Sequence, residues 1–162
     1  MHARISLTPI ADVTTQACMS NSYQLYHILE WILTQTGKAH VVVASFSTGE
    51  EFVRKIVFLK NDGLIDSCSL LLDQKAVLKT KRIITYIGNV FDTVQFAKIH
   101  AKVILIHNST HKVCIAGSQN TTRGNRTESI IISSDINLYQ SFENGIHNTP
   151  KITYNELFNA TT

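Results

Sequence analysis

The stretch HAKVILIHNSTHKVCIAGSQNTTRGNRTE, residues 100–128, decides how the rest of the chain is read. Two apolar runs, Ile99–His107 and Lys112–Ala116, flank the polar turn Asn108-Ser109-Thr110, which is the pattern of paired strands. Strand side chains alternate faces, so His100 and Lys102 point the same way and Ala101 and Val103 the other. Gly117, Ser118 and Asn120 follow the second run, and Glu128 opens a third, Thr127–Ser133. An imidazole beside an ammonium makes a phosphate site with a candidate nucleophile. Imidazole can attack phosphorus and leave again because its pKa lies near neutrality. Lys102 offers a fixed positive charge to the non-bridging oxygens. Ser118 and Asn120, also two apart, add neutral donors. Glu128 is a candidate to accept from His100 Nδ1, which would fix the tautomer and stabilise imidazolium.

Upstream of this stretch, helical and strand-like patterns alternate. Leu25, Ile28, Leu29, Ile32 and Leu33 repeat at the spacing of one buried helix face, predicting a helix over about 21–36 that Ser20 or Ser22 caps and Gly37 ends. Val41–Ala44 has the character of a strand buried on both faces. A polar turn, Ser45–Thr48, leads to a second helix over about 49–61, stopped by Asn61-Asp62-Gly63. Ser67–Leu72 is a further buried strand. Residues 73–87 carry Lys75, Lys79, Lys81 and Arg82 on what is most simply a third helix, with 82–86 as an alternative strand. The basic cluster reads as a solvated helix face. Phe91–Phe96 alternates like an exposed strand. Downstream, a helix over about 135–145 is capped by Ser134 or Asp135, and a terminal helix spans 153–159. Residues 1–20 give only a short strand at Ile5–Leu7, broken by Thr8-Pro9.

Strands alternating with helices predict an α/β domain, a mixed sheet flanked by helices on both faces, because the hairpin excludes a purely parallel sheet. The 162 residues suit a single domain, and a chain of this size buries roughly 70% of its unfolded surface. Net charge is +3, a mildly basic balance compatible with a phosphate-bearing partner. Cys18, Cys68 and Cys114 are odd in number and widely spaced, which argues against a disulfide framework or a zinc cluster. His107, His111 and Cys114 fit no zinc pattern, so no metal is expected. No apolar run approaches the roughly 18 residues needed to span a bilayer, and residues 1–20 lack the apolar core of a signal peptide. A cytoplasmic protein with no membrane partner is the expectation.

Taken together, His-x-Lys, then Gly-Ser-x-Asn, then Glu is far more specific than any one of these residues. H-A-K, G-S-Q-N and the following acidic residue resemble the phospholipase D superfamily signature, HxK(x)4D followed by GSxN and an acidic residue. The likeness is closest to the short, single-motif nucleases of that family and is sharpest over residues 99–133. It implies an α-β-α sandwich, catalytic roles for His100, Lys102, Ser118, Asn120 and Glu128, and no cofactor. Gly117, Arg123 and Arg126 become candidates for substrate binding, the arginines through flanking phosphates.

In one place the chain departs from the signature: the family's Asp falls at position 107, which is His107. Position 107 is an odd number of residues from Lys102, so in an unbroken strand it faces away from the site. That argues for a structural role near the turn. The family uses two HxK units and this chain has one, so the resemblance further implies a homodimer with the site on its two-fold axis. His100 of one copy would attack phosphorus, and His100 of the other would protonate the leaving oxygen and then activate water. The function so implied is a metal-independent phosphodiesterase, an endonuclease on DNA or RNA. The rivals are a non-catalytic nucleic-acid-binding module on the same fold and a phosphodiesterase acting on phospholipid or a small molecule.

Overall fold

The computed structural model describes residues 6–77 and 82–159, with side chains through residue 157. Among these residues one sheet of seven strands runs in the order β1-β7-β6-β5-β2-β3-β4. The strands are β1 (Thr15–Ser20), β2 (Ala39–Ser45), β3 (Ile65–Asp73), β4 (Thr93–Ala97), β5 (Val103–His107), β6 (Lys112–Gly117) and β7 (Glu128–Ser133). β2, β3 and β4 are mutually parallel, and every other neighbouring pair is antiparallel. The sheet is therefore mixed, as the hairpin required.

Helices cover both faces. α1 (Leu25–Thr36), α2 (Glu50–Asn61) and α3 (Ile84–Val90) lie on one side. Leu29, Ile32, Phe52, Ile56 and Ile87 pack there with Val41, Val43, Leu70, Ile104, Ile115 and Ile130 in one large core. α4 (Ile136–Asn148) covers the other side, where Tyr139, Leu138 and Phe142 meet Val103, Leu105 and Cys114. Consecutive residues of β5 thus serve two cores, the reason its sequence is apolar without alternation. α5 (Tyr154–Asn159) follows Thr153, whose amide and hydroxyl are both received by Glu156 Oε2.

Several boundaries differ from the sequence reading, each for a local reason. α1 begins four residues later than the polar cluster suggests. Ser20 ends β1, paired with Glu128, and cannot cap; Gln24 is the N-cap, its amide held by His27 Nδ1 at 3.1 Å. α2 carries Glu50 and Glu51 in its first turn and Lys60 in its last, matching the helix dipole. Residues 74–76 form a turn rather than the start of a helix. Asp73 accepts from Lys75 N and Ala76 N, and Gln74 N is spent on Ala97 O. Lys75 therefore sits on a turn, Arg82 precedes α3, and Lys79 and Lys81 lie outside the described residues. Residues 84–90 are helical, so the alternative strand over 82–86 does not form. β4 is an edge strand whose Phe96 and Ala97 are buried. Asp135 rather than Ser134 caps α4, accepting from Leu138 N at 2.9 Å. Ile5 lies outside the described residues, and Ser6 and Leu7 are coil. The N-terminal strand is instead β1, which pairs with β7.

Candidate active site

The site forms where two strands of opposite direction meet end to end. β2 and β5 are antiparallel and their pairing stops at Ala44↔Val103. Ser45, still paired with Leu72 of β3, and Phe46 after it therefore run beside the segment that enters β5. That segment, 98–102, is irregular rather than strand, so His100 and Lys102 precede β5 instead of heading it. Asp73, buried at the end of β3, accepts from Ile99 N at 2.9 Å and anchors the segment just before His100. Lys102 O receives Gly117 N at 3.1 Å and ties its other end to β6.

His100 and Lys102 come together as expected. Lys102 Nζ lies 3.0 Å from His100 Nδ1, 3.2 Å from Nε2 and 2.7 Å from the His100 carbonyl, to which it donates. Burial holds the Lys102 ammonium below the usual lysine range, while the Glu128 carboxylate draws it upward. The imidazole is exposed and rests at a tilt against Phe46, ring centroids 5.2 Å apart. His100, Lys102, Gly117, Ser118 and Phe142 line an open groove of about 460 Å³.

Ser118 and Glu128 lie on the neighbouring rung. Ser118 Oγ donates to Glu128 Oε2 and accepts from Ser129 N, and Ser118 N donates to Ser129 O. The carboxylate is thus engaged by Ser118, not by His100 Nδ1, which faces Lys102. Both partners sit where the β6–β7 ladder opens, so the serine reaches Glu128 across one rung. Gly117 is needed there for space: a Cβ would stand 2.2 Å from Ser129 O. No other residue fits without moving β7.

Asn120 lies at the entrance of the loop that follows. Its Oδ1 is buried without a partner among the described residues, and the residue as a whole is half-buried. On either side its neighbours are anchored. Gln119 Nε2 donates to Gln24 Oε1 at 3.0 Å, and Thr121 forms a parallel bridge with Thr48, its amide on Ser45 Oγ and its hydroxyl on Ser47 O. Arg123 and Arg126 are exposed on the same loop. Arg123 Nε is 3.9 Å from Glu51 Oε2, a loose pair in water worth little.

His107 is at the far end of β5, about 16 Å along the strand from Lys102 at ~3.3 Å per residue. It continues the alternation of Val103 and Leu105 onto the α4 side, where its Nδ1 meets Tyr139 OH at 3.1 Å. The ring also stacks at 5.1 Å on His40. Burial holds the His107 imidazole below the usual histidine range, and His40 and Lys112 push the same way against Glu143. His107 thus faces the α4 side, the orientation that its parity implied.

Two contributors were not found from sequence. Phe46 carries no motif, and its place beside His100 follows only from the β2–β5 pairing. Gln24 is an ordinary polar residue before a helix, and its contacts reach 95 and 100 residues ahead. Among the described residues no group of three or more His, Cys, Asp or Glu is placed to hold a metal ion. None of the described helices is long and apolar enough to cross a membrane.

No protein-family profile matches the chain, and no curated protein sequence matches it. Solved structures do. NucT from Helicobacter pylori superposes with a TM-score of 0.62 at 15% identity, covering 85% of this chain and 98% of that one. A polyphosphate kinase from Porphyromonas gingivalis gives a TM-score of 0.64 at 9% identity over 90% of this chain. TrmBL2, an archaeal chromatin protein whose structure shows a novel mode of DNA binding, gives 0.55 at 11% identity over 83%. The chain spans nearly all of NucT but only 29% of the polyphosphate kinase and about half, 51%, of TrmBL2. The open mixed sheet with helices on both faces is therefore the phospholipase D-like fold that the motif led one to expect.

Proposed function

We propose that the chain is a metal-independent phosphodiesterase of phospholipase D type, an endonuclease that cuts DNA or RNA in a homodimeric site. The observation that carries this reading is the placement of the Lys102 ammonium against the His100 imidazole in an open groove, one rung from Ser118 and Glu128. An ammonium donor on a ring nitrogen occupies the lone pair that a nucleophile needs. A bound phosphoryl group supplies better acceptors and draws Lys102 onto its own oxygens. A ring nitrogen of His100 then attacks phosphorus, a P–N bond forms, and the P–O bond to the leaving group breaks. The leaving oxygen takes its proton from His100 of the second copy. That imidazole next removes a proton from water, which attacks phosphorus and breaks the P–N bond.

Lys102 and Asn120 Nδ2 are the donors for the charge that develops on the phosphoryl oxygens, a role that carries a large share of such catalysis, while Ser118, whose hydroxyl is donated to Glu128, fixes that carboxylate beside them. Glu128 holds the Ser118 hydroxyl rather than the imidazole. Arg123 and Arg126 stand exposed where flanking phosphates of a nucleic acid would run. The basic balance and the likeness to NucT and TrmBL2 favour a nucleic acid over a lipid. Cys18, Cys68 and Cys114 are free thiols, consistent with a reducing, cytoplasmic setting.

The test is a panel of single-stranded DNA, duplex DNA, RNA and phospholipid, with and without chelator, run on the parent and on His100→Ala. Cleavage of nucleic acid that survives chelator and vanishes in His100→Ala is the expected result. Binding without cleavage assigns the non-catalytic module instead, and turnover of phospholipid alone assigns the lipid phosphodiesterase. Light scattering is expected to give a dimer, and an active strict monomer contradicts the shared site.

A further inference from the structure

The loop over residues 118–127 carries Asn120, Arg123 and Arg126, yet apart from the single Thr48–Thr121 bridge it contains no regular structure. Its entrance is held by the Ser118 pairing with Ser129 and by Thr121 on Ser45 and Ser47. Beyond Thr121 the described contacts that tie it to the body are few: the loose Arg123–Glu51 pair and one side chain, Gln24. Gln24 Nε2 donates to Gly124 O at 2.9 Å and Oε1 accepts from Gly124 N at 3.3 Å. The amide thus reads both backbone groups of one residue, as a neighbouring strand would. The same Oε1 accepts from Gln119 Nε2 at 3.0 Å, and Gln119 is only 3% exposed.

We propose that Gln24 is a positioning residue for the site, clamping the Asn120-bearing loop on both flanks of Asn120. The inference rests on the reading of Asn120 as a phosphoryl donor. Gln24 can hold position because its own backbone is fixed. It is the N-cap of α1, its amide is on His27 Nδ1, and its carbonyl receives His27 N at 2.9 Å. The buried first turn of α1, with Leu25 and Ile28, anchors that cap in the core. Only a neutral carboxamide suits the role, because Gly124 presents a donor and an acceptor together and a carboxylate has no hydrogen to give. Asn120 is then set between two anchored residues, Gln119 on Gln24 and Thr121 on Ser45 and Ser47. With its Oδ1 buried, its Nδ2 is the end left to meet substrate.

Two measurements decide this. Amide exchange at Gly124 and through 122–126 is expected to quicken roughly tenfold or more in Gln24→Ala, since the amide loses its acceptor. It is expected to stay unchanged in Gln35→Ala, a matched removal on the same helix: Gln35 bonds Ile10 N and Trp31 O, away from the loop. In nuclease turnover Gln24→Ala is expected to lower kcat by roughly 10- to 100-fold with KM moved less than about threefold, because misplacing a transition-state donor costs rate rather than ground-state binding. The double variant Gln24→Ala/Asn120→Ala is expected to be no slower than Asn120→Ala alone. Unchanged exchange at Gly124, kcat within twofold of the parent, or fully additive losses overturn the proposal. Quickened exchange in a protein with no His100-dependent cleavage keeps the clamp and rejects the nuclease reading instead.

Discussion

β5 has a histidine near each end, and the two are treated in opposite ways. At the entry, His100 is exposed, tilted against one aromatic ring, and bonded among the described residues by the Lys102 ammonium. At the exit, His107 is half-buried, bonded to Tyr139 and stacked on His40, and held below its ordinary pKa by burial. At the entry the imidazole has a lysine and an open groove beside it, whereas at the exit Tyr139 takes one ring nitrogen and His40 one ring face. Unspent hydrogen-bonding capacity beside a titratable group marks a site, whereas the same residue with its capacity filled is a packing element. The position that the signature gives to Asp lies at the far end of β5 from Lys102, on the Tyr139 face.

The comparison is broken most sharply at the open end. His100→Ala is expected to lower phosphodiester cleavage by roughly 10⁴-fold while the thermal melting curve stays in place. A melting shift as large as that of a core variant would place His100 among the packing residues. Next in size, Gly117→Ala drives a Cβ to 2.2 Å from Ser129 O. It is expected to cost about 1–3 kcal/mol in urea unfolding, as over-packing does. Stability equal to the parent would mean that β7 yields there.

At the closed end the expected effects shrink and change kind. His107→Phe removes the bond to Tyr139 and is expected to cost about 1 kcal/mol of stability with cleavage within about threefold of the parent. A large loss of cleavage would contradict the structural role. The smallest effect is a pH dependence. The folded state holds His107 below its unfolded value, so the unfolded chain takes up the proton first. The stability contributed by neutral His107 is present above roughly pH 6.5, the unfolded value, and is lost as pH falls below it towards the folded value. His107→Phe is expected to flatten that part of the stability profile, measured by unfolding at pH 5, 6 and 7.

The fold was legible wherever burial leaves a pattern. α1, α2 and the β5–β6 hairpin follow from apolar spacing alone, because each buries a broad face. β1 escaped notice because TQACMS is an edge strand whose inward positions are Gln16, Cys18 and Ser20, too polar to stand out. Residues 74–76 read as helix because the competing force, Asp73 taking Lys75 N on its carboxylate and Ala76 N on its carbonyl, is invisible to periodicity. For the site, the His100–Lys102 pairing followed from spacing of two, although the segment lies outside the strand. Ala101 joins Val103 and Leu105 on the α4 side, so the alternation runs back through it. The partner of Glu128 was not legible, because which of two nearby donors it takes depends on a rung of the ladder rather than on sequence distance. Gln24 left no signal, since contacts spanning a hundred residues have no local pattern.

The return of the loop to its starting rung has one more consequence. Ser118 and Ser129 bond each other, so the nine residues from Gln119 to Thr127 begin and end at the same point of the β6–β7 ladder. The Ser118–Glu128 pair is held by the rung, and Asn120, Arg123 and Arg126 are carried by an appendage hung from it. Replacing much of that appendage leaves the strands in register, since closing a somewhat longer loop costs little. A chain built this way can change what it grips without relearning how to fold.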